Sequence, residues 1–268
     1  MSDASSTSGV SSTGNSTGDA EGGMSGTTST GMSTSMDAPE CGDGQLDPGE
    51  ECDEGFAYNA EEGACLANCV LATCGDGLVH AGFEECDDAN AVVTDGCDLG
   101  CGRTRRVFVT SAVYQGGEFE GLIGADQRCR SLAAQAGLAN FAGFKAWLSD
   151  SKTSPLKRMY NGRGRYELVN GLLVAENWDA LLAGELQNPI MVTEKSETQD
   201  LTVWTGTNPD GTAAAGSDHC LDWTSSDVNH WEFWGVSSEI AAHWTMADVD
   251  LNPTQCNSDL AIYCFEQK

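Results

Sequence analysis

Sixteen Asp and Glu lie between Glu40 and Cys101 with no Lys or Arg among them, and eight cysteines share that segment. Carboxylates at this density suit a hard, oxygen-preferring cation; paired cysteines suit either disulfides or a tetrahedral thiolate metal. Asp43, Glu51, Asp53, Asp76, Glu85, Asp87 and Asp88 are the candidate calcium ligands, because calcium relieves mutual repulsion and accepts Asp oxygens together with the carbonyls of a Gly-rich loop. The alternative is a solvated acidic surface screened by monovalent salt, since no EF-hand spacing is present.

The cysteines repeat. "CGDGQLDPGEEC" from Cys41 returns as "CGDGLVHAGFEEC" from Cys74, with cysteines at Cys41, Cys52, Cys65 and Cys69, then at Cys74, Cys86, Cys97 and Cys101. Each unit closes on a C-x3-C pair, which lies within the zinc window. The surrounding carboxylates and the abundance of cysteine favour disulfides instead. Units of about 30 residues with hardly any Ile, Leu, Val or Phe need covalent staples in place of a core. Four cysteines allow three pairings per unit, and the spacing does not choose among them.

Two further clusters carry chemistry. "NHWEFWG" gathers His230, Trp231, Phe233 and Trp234, which either stack on a sugar ring or partner, or pack in a core. Lys152, Lys157, Arg158, Arg163 and Arg165 form a local basic group: a hold for an anionic ligand, a dock for the acidic repeats, or a solvated loop. The four histidines are scattered, and neither HExxH, GxSxG nor a phosphate-binding glycine loop is present, so no enzyme is expected.

The elements that must position these groups divide unevenly along the chain. Of the first 39 residues, 25 are Ser, Thr or Gly, which reads as a disordered tether over 1–39. Cys-rich repeats occupy 40–71 and 72–102, and ordinary globular sequence fills 103–268. All 13 Lys and Arg fall after residue 102, whereas 20 of the 41 Asp and Glu precede it. A chain with a formal net charge of −28 repels nucleic acid and anionic lipid. Twelve cysteines imply an oxidising compartment. No signal peptide or transmembrane segment is legible, and an export or lipoprotein signal with a lipid anchor upstream of Met1 reconciles the two observations.

In the last segment "VFVTSAV" predicts an opening strand and residues 124–138 a helix with Cys129 on its buried stripe. "YELVNGLLV" predicts a hairpin whose Asn170 and Gly171 both take positive φ. A short helix is expected at "NWDALLAG" and strands at "TVWTG", "HCLDWT" and "LAIYCFE". Four cysteines there imply two nested bridges, Cys129 to Cys264 and Cys220 to Cys256.

The repeats resemble the "CGDG…EECDDGN…DGC…C" units of large secreted and surface proteins of myxobacterial type. Cys74-Gly-Asp-Gly, Glu84-Glu85-Cys86-Asp87-Asp88 and Asp95-Gly96-Cys97 follow that pattern, and the first unit departs from it at Glu54-Gly55-Phe56. The resemblance implies a modular role at the cell surface, without catalysis. From about Val107 to Glu266, the order helix-Cys, "FKAWLSDS", "VWTGTNPDG", "HCLDWTS" and "AIYCFE" resembles a C-type-lectin-like domain of the endostatin-related branch. That implies an α+β C-type-lectin-like domain preceded by two small disulfide-rich, coil-dominated repeats and a disordered tether. Asn208-Pro209-Asp210 is reminiscent of the calcium-sugar loop of such domains, but no Trp-Asn-Asp strand follows. The expectation is an exported or surface-anchored binding protein that recognises an extracellular glycan or protein. A structural spacer is the alternative, and a secreted hydrolase the third.

Overall fold

The computed structural model describes residues 40–55, 65–93, 95–247 and 253–268. The tether expected over 1–39 lies outside the described residues. The described residues of 40–102 are disulfide-rich coil, and a mixed α/β domain with a curled sheet follows. The domain's elements are β1 (Arg105–Val109), α1 (Leu122–Gln135), β2 (Phe144–Ala146), the single turn α2 (Pro155–Arg158), β3 (Tyr166–Leu168), β4 (Leu173–Ala175), α3 (Trp178–Leu182), β5 (Thr202–Trp204), β6 (Trp231–Glu232), β7 (Trp234–Val236), β8 (Thr254–Gln255) and β9 (Ala261–Glu266).

The sheet is built around β9. On one edge it pairs antiparallel with β1, from Val107↔Phe265 to Val109↔Tyr263. On the other it pairs with β2 towards its C-terminal end and with β5, in parallel, towards its start. A strand enclosed on both edges and both faces is largely apolar; all six β9 residues are buried, and the one carboxylate, Glu266 at its end, accepts from Arg103 and from the Arg106 backbone. Its alternation divides the core in two. Tyr263 and Phe265 point with Val107 and Val109 into a cluster around Trp147, Trp178 and Trp244. Ile262 and Cys264 point with Phe108 towards α1, Trp204 and Trp223.

Helix α1 turns Leu122, Ala125, Asp126, Cys129 and Ala133 inward, a stripe at helical spacing. The acid in that stripe is paired: Asp126 takes two N–H donors from Arg158 at 2.7 and 2.6 Å and the backbone N–H of Ala146 at 2.9 Å. The β3–β4 hairpin departs from its expected turn, because Gly171 has φ of +88° and Asn170 is not in the left-handed region. Gly171 N–H donates to Leu168 and Leu168 N–H to Leu172, so a three-residue loop with one left-handed glycine replaces the two-residue type I′ turn.

"HCLDWT" is also corrected. It is not a strand: His219, Cys220, Leu221, Asp222 and Trp223 all have φ between 51° and 65°, a left-handed turn. Left-handed backbone costs about 1–2 kcal/mol per residue, so runs of it occur only where the surroundings impose them. Here Cys220 is bonded to Cys256, and Trp223 donates its indole N–H to Ser149 at 2.7 Å. Asp222 accepts both the N–H and the hydroxyl of Ser151. Cys220 and Trp223 are buried while Leu221 is exposed, the spacing of a turn and not of a strand.

All twelve cysteines are paired, which removes the zinc reading. Each repeat nests its bridges: Cys41–Cys69 encloses Cys52–Cys65, and Cys74–Cys101 encloses Cys86–Cys97. In the domain Cys129 joins Cys264 and Cys220 joins Cys256.

The second repeat is packed on the domain. Gly102 and Gly164 approach so closely that a Cβ on Gly102 would lie 2.5 Å from the Gly164 backbone. Beside them Glu85 accepts from Arg105 at 2.7 Å and from the backbone N–H of Arg103 and Arg163 at 3.0 and 3.2 Å. Arg105 is buried and also donates to the carbonyls of Gln267 and Arg103. Burial works against the Glu85 charge, but Arg105 and these N–H groups outweigh it and hold its pKa below the usual range. Glu85→Ala leaves a buried guanidinium unpaired and is expected to cost about 3 kcal/mol, the lower end for breaking such a pair. Denaturant unfolding measures that loss, and faster proteolytic cleavage near residue 103 reports the loosened junction; unchanged values for both would refute the assignment.

Candidate functional site

Of the seven carboxylates expected to bind calcium, six act as acceptors for the backbone of their own repeat, and Glu85 accepts from the domain instead. Asp87 takes the N–H groups of Gly75, Asp76, Gly77 and Ala89 at 2.6–3.2 Å. In the first repeat Asp53 takes those of Gly42 and Gly55 at 2.8 and 2.7 Å. Asp43 and Asp76 each close a local turn onto Gln45 and Leu78, and Asp88 accepts from Asn90. Glu51 accepts from Leu71 as Glu85 accepts from Arg103, at the same place in the two repeats. Slight burial opposes the Asp87 charge, yet its four N–H donors lower its pKa. Among the described residues, the two groups close enough to share an ion both include disulfide sulfur, and no three carboxylates converge. Backbone N–H groups thus offset part of the charge of the described repeat residues.

The basic group is not one surface. Arg158 is committed to Asp126 inside the domain. Arg163 donates to the Phe83 carbonyl, and Arg165 to the Val93 carbonyl and to Glu176, so both hold the second repeat or its surroundings. Lys152 and Lys157 are exposed. Asn208 and Asp210 belong to a tight turn: the Asn208 amide donates to Thr212 and to the Ala213 carbonyl, and Asp210 Oδ1 accepts the Thr212 hydroxyl.

The aromatic cluster is more promising. β6 and β8 form a two-stranded ribbon, Trp231↔Gln255 and Glu232↔Thr254, and Cys256 N–H donates to the His230 carbonyl at 3.0 Å. The Cys220–Cys256 bridge ties the ribbon to the left-handed turn. Strand alternation then separates the aromatics. Trp231 is 36% exposed and stands edge-on to the half-buried Phe233, their centroids 6.2 Å apart. Trp234 turns inward against the cluster that holds Trp204 and Trp223. His230 is hydrogen-bonded through Nδ1 to Asp218, on the loop leading into the turn. A polar pair beside an exposed ring on a pinned ribbon can stack a flat apolar face and hydrogen-bond its edge.

Beneath this face lies a pair that sequence reading missed. His219 Nδ1 is 2.6 Å from Glu232 Oε2, and both residues are buried; Ser217 donates to the other Glu232 oxygen. The signal was weak, because the two residues are joined only through the left-handed turn and the ribbon.

A family model described as Domain of unknown function (DUF4215) matches residues 54–102. The match covers the end of the first repeat and the whole of the second, and with the nested bridges it assigns this segment as Cys-rich repeats. No helix among the described residues is long and apolar enough to cross a membrane.

His219 also sets a pH dependence. Burial lowers its pKa, but the hydrogen bond and charge of Glu232, with Asp222 and Asp150 nearby, override this and raise it. The folded value exceeds the unfolded one, so the contribution is complete below about pH 6.5 and is lost as pH rises through the folded value. Melting temperature is expected to fall across that interval, and the His219→Gln protein to lose this slope. An identical slope in the variant would exclude His219 as its source.

Proposed function

We propose that the C-terminal domain is a C-type-lectin-like recognition module of an exported or surface-anchored protein, presented by two stapled repeats, with no catalytic role. What carries this reading is the Trp231–Phe233 pair held outward on a disulfide-pinned ribbon. Tryptophan is among the residues enriched at binding hot spots, and one held in place loses little freedom on binding. The lectin-like assignment is supported by the adjacency of the domain's first and last strands and by two bridges, one from α1 to the last strand and one across the long loop region. Export is supported by six disulfides. The ligand class is an extracellular glycan or a protein surface with an accessible ring or apolar face. The hydroxyl beside the His219–Glu232 pair, that of Ser217, donates to the Glu232 carboxylate and not to the imidazole, an arrangement that does not favour the hydrolase reading. The rigid junction at Glu85 favours the second reading, a spacer, only if the face around Trp231 proves silent.

A screen of glycans and surface polymers decides between the two. Binding that falls at least tenfold in Trp231→Ala, with melting temperature unchanged, is the expected result. A ligand bound equally by both proteins, or none bound at all, overturns the assignment of this face.

A further inference from the structure

A cavity of about 400 Å³ opens where the second repeat meets the domain, lined by Phe83 from the repeat and by Arg103, Tyr160, Asn161 and Arg163 from the domain. Its charge is opposite to that of the chain as a whole, whose formal net charge is −28. The acids on its wall are already answered. Glu85 is neutralised by Arg105 and by the N–H groups of Arg103 and Arg163, and Glu84 accepts from the His80 backbone at 2.8 Å. Arg105 is buried and fully engaged.

The two remaining guanidinium groups are not. Arg163 is exposed and gives a single side-chain hydrogen bond, to the Phe83 carbonyl. The Arg103 side chain is 43% exposed and meets Glu266 at only 3.3 Å. Two guanidinium groups on one cavity favour a carboxylate, which a planar fork can grip in a bidentate manner. At the same cavity Phe83 leaves 60% of its surface exposed, with its other contact an imidazole, that of His80, at 4.4 Å. A free aromatic ring beside a carboxylate grip suits a ring-shaped body with apolar C–H faces, and the Asn161 amide suits its hydroxyls. The volume lies in the range of small-molecule sites. An extended polyanion would be repelled by the surrounding acidic surface, so the ligand carries one acid.

We propose that this junction cavity binds a single uronate residue of an otherwise neutral glycan. Its carboxylate would lie against Arg103 and Arg163 and its ring on Phe83. The site is separate from the Trp231 face and does not depend on it.

Calorimetric titration of the full chain with methyl glucuronide, and with methyl glucoside as the neutral match, tests the proposal. The glucuronide is expected to bind with a Kd of about 1 mM or tighter, and the glucoside at least tenfold more weakly. Arg163→Gln should weaken glucuronide binding at least tenfold, and Lys157→Gln, outside the cavity, should leave it unchanged. Because Arg163 also holds the repeat, Phe83→Ala serves as the second variant: it removes the ring and keeps the carbonyl that Arg163 uses. A several-fold loss in Phe83→Ala supports the site. Absence of glucuronide binding, equal binding of the two sugars, or full binding by Phe83→Ala overturns it.

Discussion

The Glu85 carboxylate joins two construction rules in one group. Within the repeat it does what Glu51 does one unit earlier, accepting a backbone N–H just beyond the closing cysteine. Towards the domain it accepts Arg105 on β1 and the backbone of Arg163. The last turn of a coreless repeat and the first strand of a fully cored domain are thus set by the same charge. Arg105 lies in β1, β1 lies against β9, and β9 organises both halves of the core. An isolated repeat has no comparable anchor, which is why the repeat pattern alone does not foretell the junction.

The repeats answer part of their acidic charge with the peptide backbone. Gly75 and Gly77, with φ of 97° and 89°, turn successive N–H groups towards Asp87, making an anion nest whose anion is the chain's own side chain. Glycine is required at these places because side chains rarely adopt that backbone. Disulfides hold the loops in register, and the carboxylates supply the hydrogen bonds that regular secondary structure would otherwise provide. The repeated Cys-Gly-Asp-Gly phrase is therefore a backbone instruction before it is a charge pattern.

Much of the domain was legible. The apolar run Val107–Val109, the helical spacing of Cys129 and the apolar run at Ala261 each mark their element. What escaped depends on partners distant in sequence. His219–Trp223 reads as a strand from its Cys and Trp, and becomes a left-handed turn because Cys256 and Ser149 hold Cys220 and Trp223. The roles of Asp53 and Asp87 were hidden because composition counts charges without counting the N–H groups aimed at them. The basic residues looked like one cluster because they are close in sequence, yet Arg158 faces α1 and Arg163 faces the repeat. In the aromatic run, alternation separated Trp231 from Trp234, but only β6 and β7 as placed say which one faces out.

The central strand of the domain is also the last to emerge during synthesis or export. Each repeat can close its bridges within 28 residues, so both can mature while the rest of the chain is still arriving. The sheet has no such freedom: β1, β2 and β5 have no common neighbour until residues 261–266 appear, and the α1 bridge spans 135 positions. Loop closure over such distances is slow. The finished second repeat, with Glu85 already in place, therefore stands as a template on which β1 waits for its central partner.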